Sequence, residues 1–109
     1  MASVEIKVNN IPFAKEVYKV AIAKGLEMIG MQCENYAALK CPVDTGRLQG
    51  SIDHWPEGED TMVVGTNVEY AGYVELGTSK MKKRPYLKPA AANHKKEYAT
   101  MMEYCIKNA

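Results

Sequence analysis

The side chains able to do chemistry are few, and their spacing does not gather them. The chain has two histidines, His54 and His94, and three cysteines, Cys33, Cys41 and Cys105. A zinc site draws its ligands from short spacings such as Cys-x-x-Cys or His-Glu-x-x-His. Neither occurs, nor does the Gly-x-Ser-x-Gly turn of an activated serine. One glycine pair imitates a phosphate loop: Gly72 and Gly77 enclose four residues. Such a loop needs lysine directly after the second glycine. Thr78 and Ser79 stand there instead, and Lys80 comes two places too late. The preceding Tyr70-Ala71-Gly72-Tyr73 is not a strand entering a glycine-rich turn. The expectation is no nucleotide site, no catalytic residue, no cofactor and no metal, and so no enzyme. Cys33 and Cys105 read as small buried hydrophobes. His94, Trp55 and Tyr104 read as packing or interface residues.

The chemistry that remains is charge. Net charge is only +1, but its distribution is uneven. Residues 48–79 contain no Lys or Arg, and hold Asp53, Glu57, Glu59, Asp60, Glu69 and Glu75. Residues 76–96 contain no acid, and hold Lys80, Lys82, Lys83, Arg84, Lys88, Lys95 and Lys96. Two solvated surfaces would account for this. A polar subunit, acidic on one side and basic on the other, would account for it too. Such a subunit can join copies of itself head to tail, and a closing rotation gives a ring. The loop 78–84 carries Lys80, Lys82, Lys83 and Arg84 around Met81, with Pro85 and Pro89 stiffening its exit. It reads as a weakly held arm that orders on a partner, or as a contact to DNA phosphates.

The elements that must position these charges follow from periodicity. At 109 residues there is room for one domain, 1–109, with one modest core. No apolar run approaches the roughly 20 residues of a membrane span. The N-terminus lacks a basic region followed by an apolar stretch, so reduced thiols and a cytosolic or particle-borne protein are expected. Val4, Ile6 and Val8 alternate with charged residues, the period of a half-buried strand. Pro12 suits a helix start. A helix is expected over 14–39, one face carrying Val17, Ala21, Lys24 and Met28, an adjoining one Ile22, Ile29, Cys33, Tyr36 and Ala37. Pro42 ends it. Residues 48–55 read as a strand, 56–60 as a hairpin loop, 61–66 as the returning strand and 90–107 as a second helix.

Three blocks stand between Cys41 and Ala90. The first, C-P-V-D-T-G-R-L-Q-G-S-I, places Pro42, Asp44, Thr45, Gly46 and Arg47 at a helix-to-strand corner. Asp44 or Thr45 can bond turn amides there. Gly46 supplies a backbone conformation other residues resist. Arg47 can pair with Asp44 or reach Glu75, and with the turn amides it is also a possible anion site. The second block runs V-G-T-N-V-E-Y-A-G-Y-V-E-L-G-T-S-K. The third is R-P-Y-L-K-P-A.

In order and spacing these blocks resemble the neck proteins of tailed bacteriophages, the tail-component or head–tail joining family. At Gly72 the chain departs from that family, which often has proline there. The resemblance implies that Tyr70, Tyr73 and Val74 anchor a short segment on the sheet, that Gly77 releases the chain into a loop, and that Pro85 and Tyr86 belong to the closing motif. It implies an α+β fold: N-terminal strand, long helix, small antiparallel sheet with a hairpin, C-terminal helix. The function implied is structural assembly, joining head to tail as a ring around the DNA channel. Its implied partners are copies of itself, other neck, connector or tail-tube proteins, and genomic DNA, with no membrane. The implied location is the virion neck or tail, and the host cytoplasm before assembly. Interface residues would be Lys80, Lys82, Lys83, Arg84, Glu57, Glu59, Asp60 and Glu75. The rival reading is a small DNA-binding module using residues 80–88.

Overall fold

A computed structural model describes residues 2–7, 16–41, 46–58, 61–80 and 82–108. The order is β1 (Ala2–Lys7), α1 (Glu16–Lys40), α2 (Arg47–Ser51), β2 (Asp53–Pro56), β3 (Thr61–Thr66), α3 (Ala71–Leu76), α4 (Leu87–Ala92) and α5 (Lys95–Lys107). Expectations for Val8, Pro12, Pro42, Asp44, Thr45, Glu59, Asp60 and Met81 lie outside the described residues. No described helix is long and apolar enough to cross a membrane.

The fold is α+β. Its sheet has the order β1-β3-β2, with both pairings antiparallel. Val64 of the central strand pairs with Val4 on one side and His54 on the other. All six residues of β3 are buried. Helix α1 packs across β2 and β3, and α5 packs along α1. The long helix buries Ile22, Leu26, Ile29, Cys33 and Ala37, at intervals of three and four residues. Of the first face expected, Ala21 is buried while Lys24 and Met28 face outward.

Two helical glycines explain how closely these layers approach. A side chain at Gly30 would meet Met62 Cγ at 2.8 Å and His54 Cδ2 at 3.0 Å. One at Gly25 would meet Met102 Sδ at 2.7 Å. Each glycine weakens the helix by about 1 kcal/mol relative to alanine. In exchange, Gly30 seats the sheet on α1 and Gly25 seats α5.

Three expectations are corrected. Residues 48–51 are helical, not extended, and the strand begins at Asp53. Leu48 is buried within α2, and Ile52, which follows it in extended geometry, is buried as well. Gly46, at φ 82°, sets the turn, and its carbonyl accepts from Gly50 N–H at 2.9 Å. The C-terminal helix is two helices. Asn93 N–H closes α4 on the Pro89 carbonyl at 2.9 Å, and His94 leaves helical geometry before α5 begins. Pro89 lies in the first turn of α4, where its missing N–H has little consequence. Finally, Tyr73 is not an anchor: it is 61% exposed, while Tyr70 and Val74 pack partly against the core.

Candidate functional site

Glu75 joins the second sequence block to the third. It lies near the end of α3, and its carboxylate faces the start of α4. Oε1 accepts from the backbone N–H of Tyr86 at 3.0 Å and of Leu87 at 2.9 Å; Oε2 accepts from Lys88 N–H at 3.2 Å. The first amides of a helix have no partner within it, and an acceptor carrying negative charge suits them twice over. Glu75 was expected at an interface; the structure gives its carboxylate this internal capping contact. Beside it Tyr86 is fully buried and donates its hydroxyl to the Ala71 carbonyl at 3.4 Å. Burial pushes the Tyr86 pKa well up, so it stays a neutral phenol.

The loop between these anchors is tied at its base. Arg84 N–H donates to the Val74 carbonyl at 2.8 Å, and Gly77 N–H donates to Tyr73 at 2.7 Å as α3 ends. Residues 78–80 and 82–85 are exposed, including Lys80, Lys82, Lys83, Arg84 and Pro85. The four cations therefore point into solvent from a fixed stem. On α3 the same end of the molecule shows Tyr73 and Leu76, one helical turn apart, with Leu76 79% exposed. Neither was expected as an exposed apolar residue. Their three-residue interval was the available signal.

Asp44, one partner expected for Arg47, lies outside the described residues, and Glu75, the other, faces the α4 amides; Arg47 pairs with Glu69. Its guanidinium bridges Glu69 with two contacts, 3.1 Å to Oε1 and 2.9 Å to Oε2, and lies 5.5 Å from the Tyr70 ring centre. The hydrogen bond from Arg47 holds the Glu69 carboxyl below the usual carboxylate range. This surface fork ties the corner after α1 to the segment before α3. Glu57 is exposed beyond β2, and its N–H bonds the Thr61 carbonyl at 2.9 Å to close the hairpin.

His54 has a role that spacing could not reveal. Its ring lies on Gly30, with Nδ1 2.8 Å from Glu34 and Nε2 2.7 Å from Glu27. Glu27 and Glu34 are two helical turns apart on α1, so one imidazole clamps β2 to the helix. Burial lowers the His54 pKa, but the two carboxylates outweigh it and the net shift is upward. Glu34, Asp53 and His54 also bring one donor atom each within 4.8 Å, a mixed nitrogen and oxygen set that could hold a cation. His94, by contrast, stacks on Tyr36 with ring centres 3.6 Å apart, and Tyr36 hydroxyl donates to Glu97. These contacts join α1 to α5.

The three thiols are buried. Burial raises the pKa of Cys33 and of Cys41, so both are held as unreactive thiols. Cys33 and Cys105 are the small core residues expected.

Comparison with known proteins gives one finding. A family described as "Bacteriophage HK97-gp10, putative tail-component" matches residues 12–77. The matched span contains α1, α2, β2, β3 and α3, and so includes the Arg47 corner and Glu75. No curated protein and no solved structure gives a significant match. With more than half of its length matched, the chain belongs to the bacteriophage HK97-gp10-like tail-component family.

Proposed function

We propose that this phage tail component is a part of the neck, acting as one domain that joins head to tail in a ring around the DNA channel. The observation that carries this reading is the loop 78–84, held at its stem by Glu75 and presenting Lys80, Lys82, Lys83 and Arg84 to solvent. A rigid base with exposed cations suits docking on an acidic neighbour. Its role is mechanical: contacts with copies of itself and with other neck, connector or tail-tube proteins, and no turnover. It acts in the virion, after folding in the host cytoplasm.

The test is charge reversal of the loop. Lys82→Glu, Lys83→Glu and Arg84→Glu together leave the fold intact, because all three side chains are exposed. In an infected host the variant is expected to yield filled heads and separate tails. Normal yields of joined, infectious particles would show the loop to be only a solvated surface.

The exposure of Lys80, Lys82, Lys83 and Arg84, and of Lys88 beyond the buried Tyr86 and Leu87, favours a second reading, a contact with the genome. A retarded band in a mobility-shift assay at physiological salt, lost in the same triple variant, would support it. An unshifted duplex would remove it.

A further inference from the structure

We infer that two free subunits pair through the outward face of α1, antiparallel, about a two-fold axis level with Gly25 and Leu26. This goes beyond the ring reading: a two-fold contact is satisfied by two copies and does not propagate round a ring. Helix α1 carries apolar residues on both sides. One side enters the core through Ile22, Leu26, Ile29 and Cys33. The other shows Val20, 76% exposed, and Met31, 52% exposed. Lys24 and Glu27 are exposed between them. Val20, Lys24, Glu27 and Met31 follow one another at intervals of four, three and four residues. That spacing keeps a row in line along one helix face and forms the seam of a helix pair.

The row lies between two neighbouring elements. On one side Cys105 of α5 reaches Met28, with Sγ 3.6 Å from Sδ. On the other His54 of β2 bonds Glu27. Glu27 gives Oε1 to that contact, yet 55% of its side chain remains exposed. Two further charges border the row: Lys19 is half-buried, and Glu34 is turned to His54 at 2.8 Å.

The occupant is a second copy because the row is its own complement when reversed. Laid antiparallel with Gly25 and Leu26 at the centre, Val20 of one copy meets Met31 of the other, and Lys24 meets Glu27. The symmetry makes each contact twice, and Lys19 falls opposite Gln32, not opposite another cation. Laid parallel, Lys24 would face Lys24 and Glu27 would face Glu27. The opposite charges thus fix the direction of pairing. The two outer layers of valine on methionine supply the apolar burial.

Sedimentation velocity of the full chain at high concentration, at low and at moderate salt, is the test. The unmodified chain is expected to reach a dimer, weakened by salt as the pairs of Lys24 with Glu27 are screened. Val20→Glu and Met31→Lys each change only an exposed side chain. Either variant alone is expected to sediment as a monomer where the unmodified chain is paired, since it sets a charge against an apolar partner. Mixed in equal amounts they are expected to pair again, because the new acid at position 20 of one faces the new base at position 31 of the other. Circular dichroism confirms that both are folded. A mixture that stays monomeric, or single variants that pair like the unmodified chain, would overturn the contact. So would pairing that salt strengthens, the sign of like charges opposed. If the unmodified chain stays monomeric at every concentration, the pair falls, while the ring, tested by the loop variant and in the intact particle, stands. Larger closed oligomers indifferent to both variants would overturn the pair and support the ring.

Discussion

Glu75 and His54 hold separate parts of the chain together, and neither role was visible from its sequence neighbours. Glu75 was grouped with the surface acids because its partners lie 11 to 13 residues away. Replacing Glu75 by alanine leaves three amides at the start of α4 without their acceptor. Hydrogen bonds to charged groups contribute about 1.5–3 kcal/mol, and a loss in that range is expected in urea unfolding. Glutamine, which keeps one acceptor, is expected to lose less. An unchanged midpoint for the alanine variant would contradict the capping role. His54 predicts a pH dependence whose sign is fixed. Its folded pKa is raised, so its stabilising contribution is fully present below the ordinary imidazole value of about 6.5. That contribution is lost as pH rises through the raised folded value. His54→Gln should therefore flatten the fall in stability across the neutral range. A variant that keeps the same slope would place the proton elsewhere.

The elements were read well where one period dominated. Alternation at Val4 and Ile6 located β1, and the long apolar stripe located α1. The failures came where a short stretch answered to distant contacts. Residues 48–51 look like the start of a strand, yet they are helical after the Gly46 turn, with the Gly50 N–H bonded back to the Gly46 carbonyl. The break at Asn93 and His94 was hidden because apolar residues continue in register across it. Gly25 and Gly30 read only as weak points, since close approach to Met102, Met62 and His54 is a tertiary fact. Gly30→Ala should cost about 1–3 kcal/mol by overpacking, although alanine favours the helix. Higher stability from that change would mean that the sheet can move away freely. The loop 78–84 gives a further prediction. Trypsin should cut the isolated subunit first after Lys80, Lys82 or Lys83, and slowly after Arg84 because Pro85 follows. Mass spectrometry of the earliest fragments checks it. First cleavage within α1 or α5 would point to a weaker element than the loop.

For the whole molecule, fold class and family were legible because three spaced blocks and two long periodic segments agree. Surface use was less legible, because sequence shows which charges are near in the chain but not which are already engaged. Glu69 answers Arg47 and Glu75 answers α4, whereas Glu57 is exposed beyond β2. Exposed charges act over about 10 Å at 0.1 M salt. Self-association should therefore weaken as salt rises, and light scattering across a salt series reads it. The central claim is the place of this chain in the particle. The most direct measurement is a cryo-electron microscopy reconstruction of the head–tail junction of the phage encoding it. The account predicts a closed ring of this fold at the junction, around the DNA channel, with the loop 78–84 against an adjoining ring. Density for the chain in the capsid shell or at the distal end of the tail, with none at the junction, would contradict it.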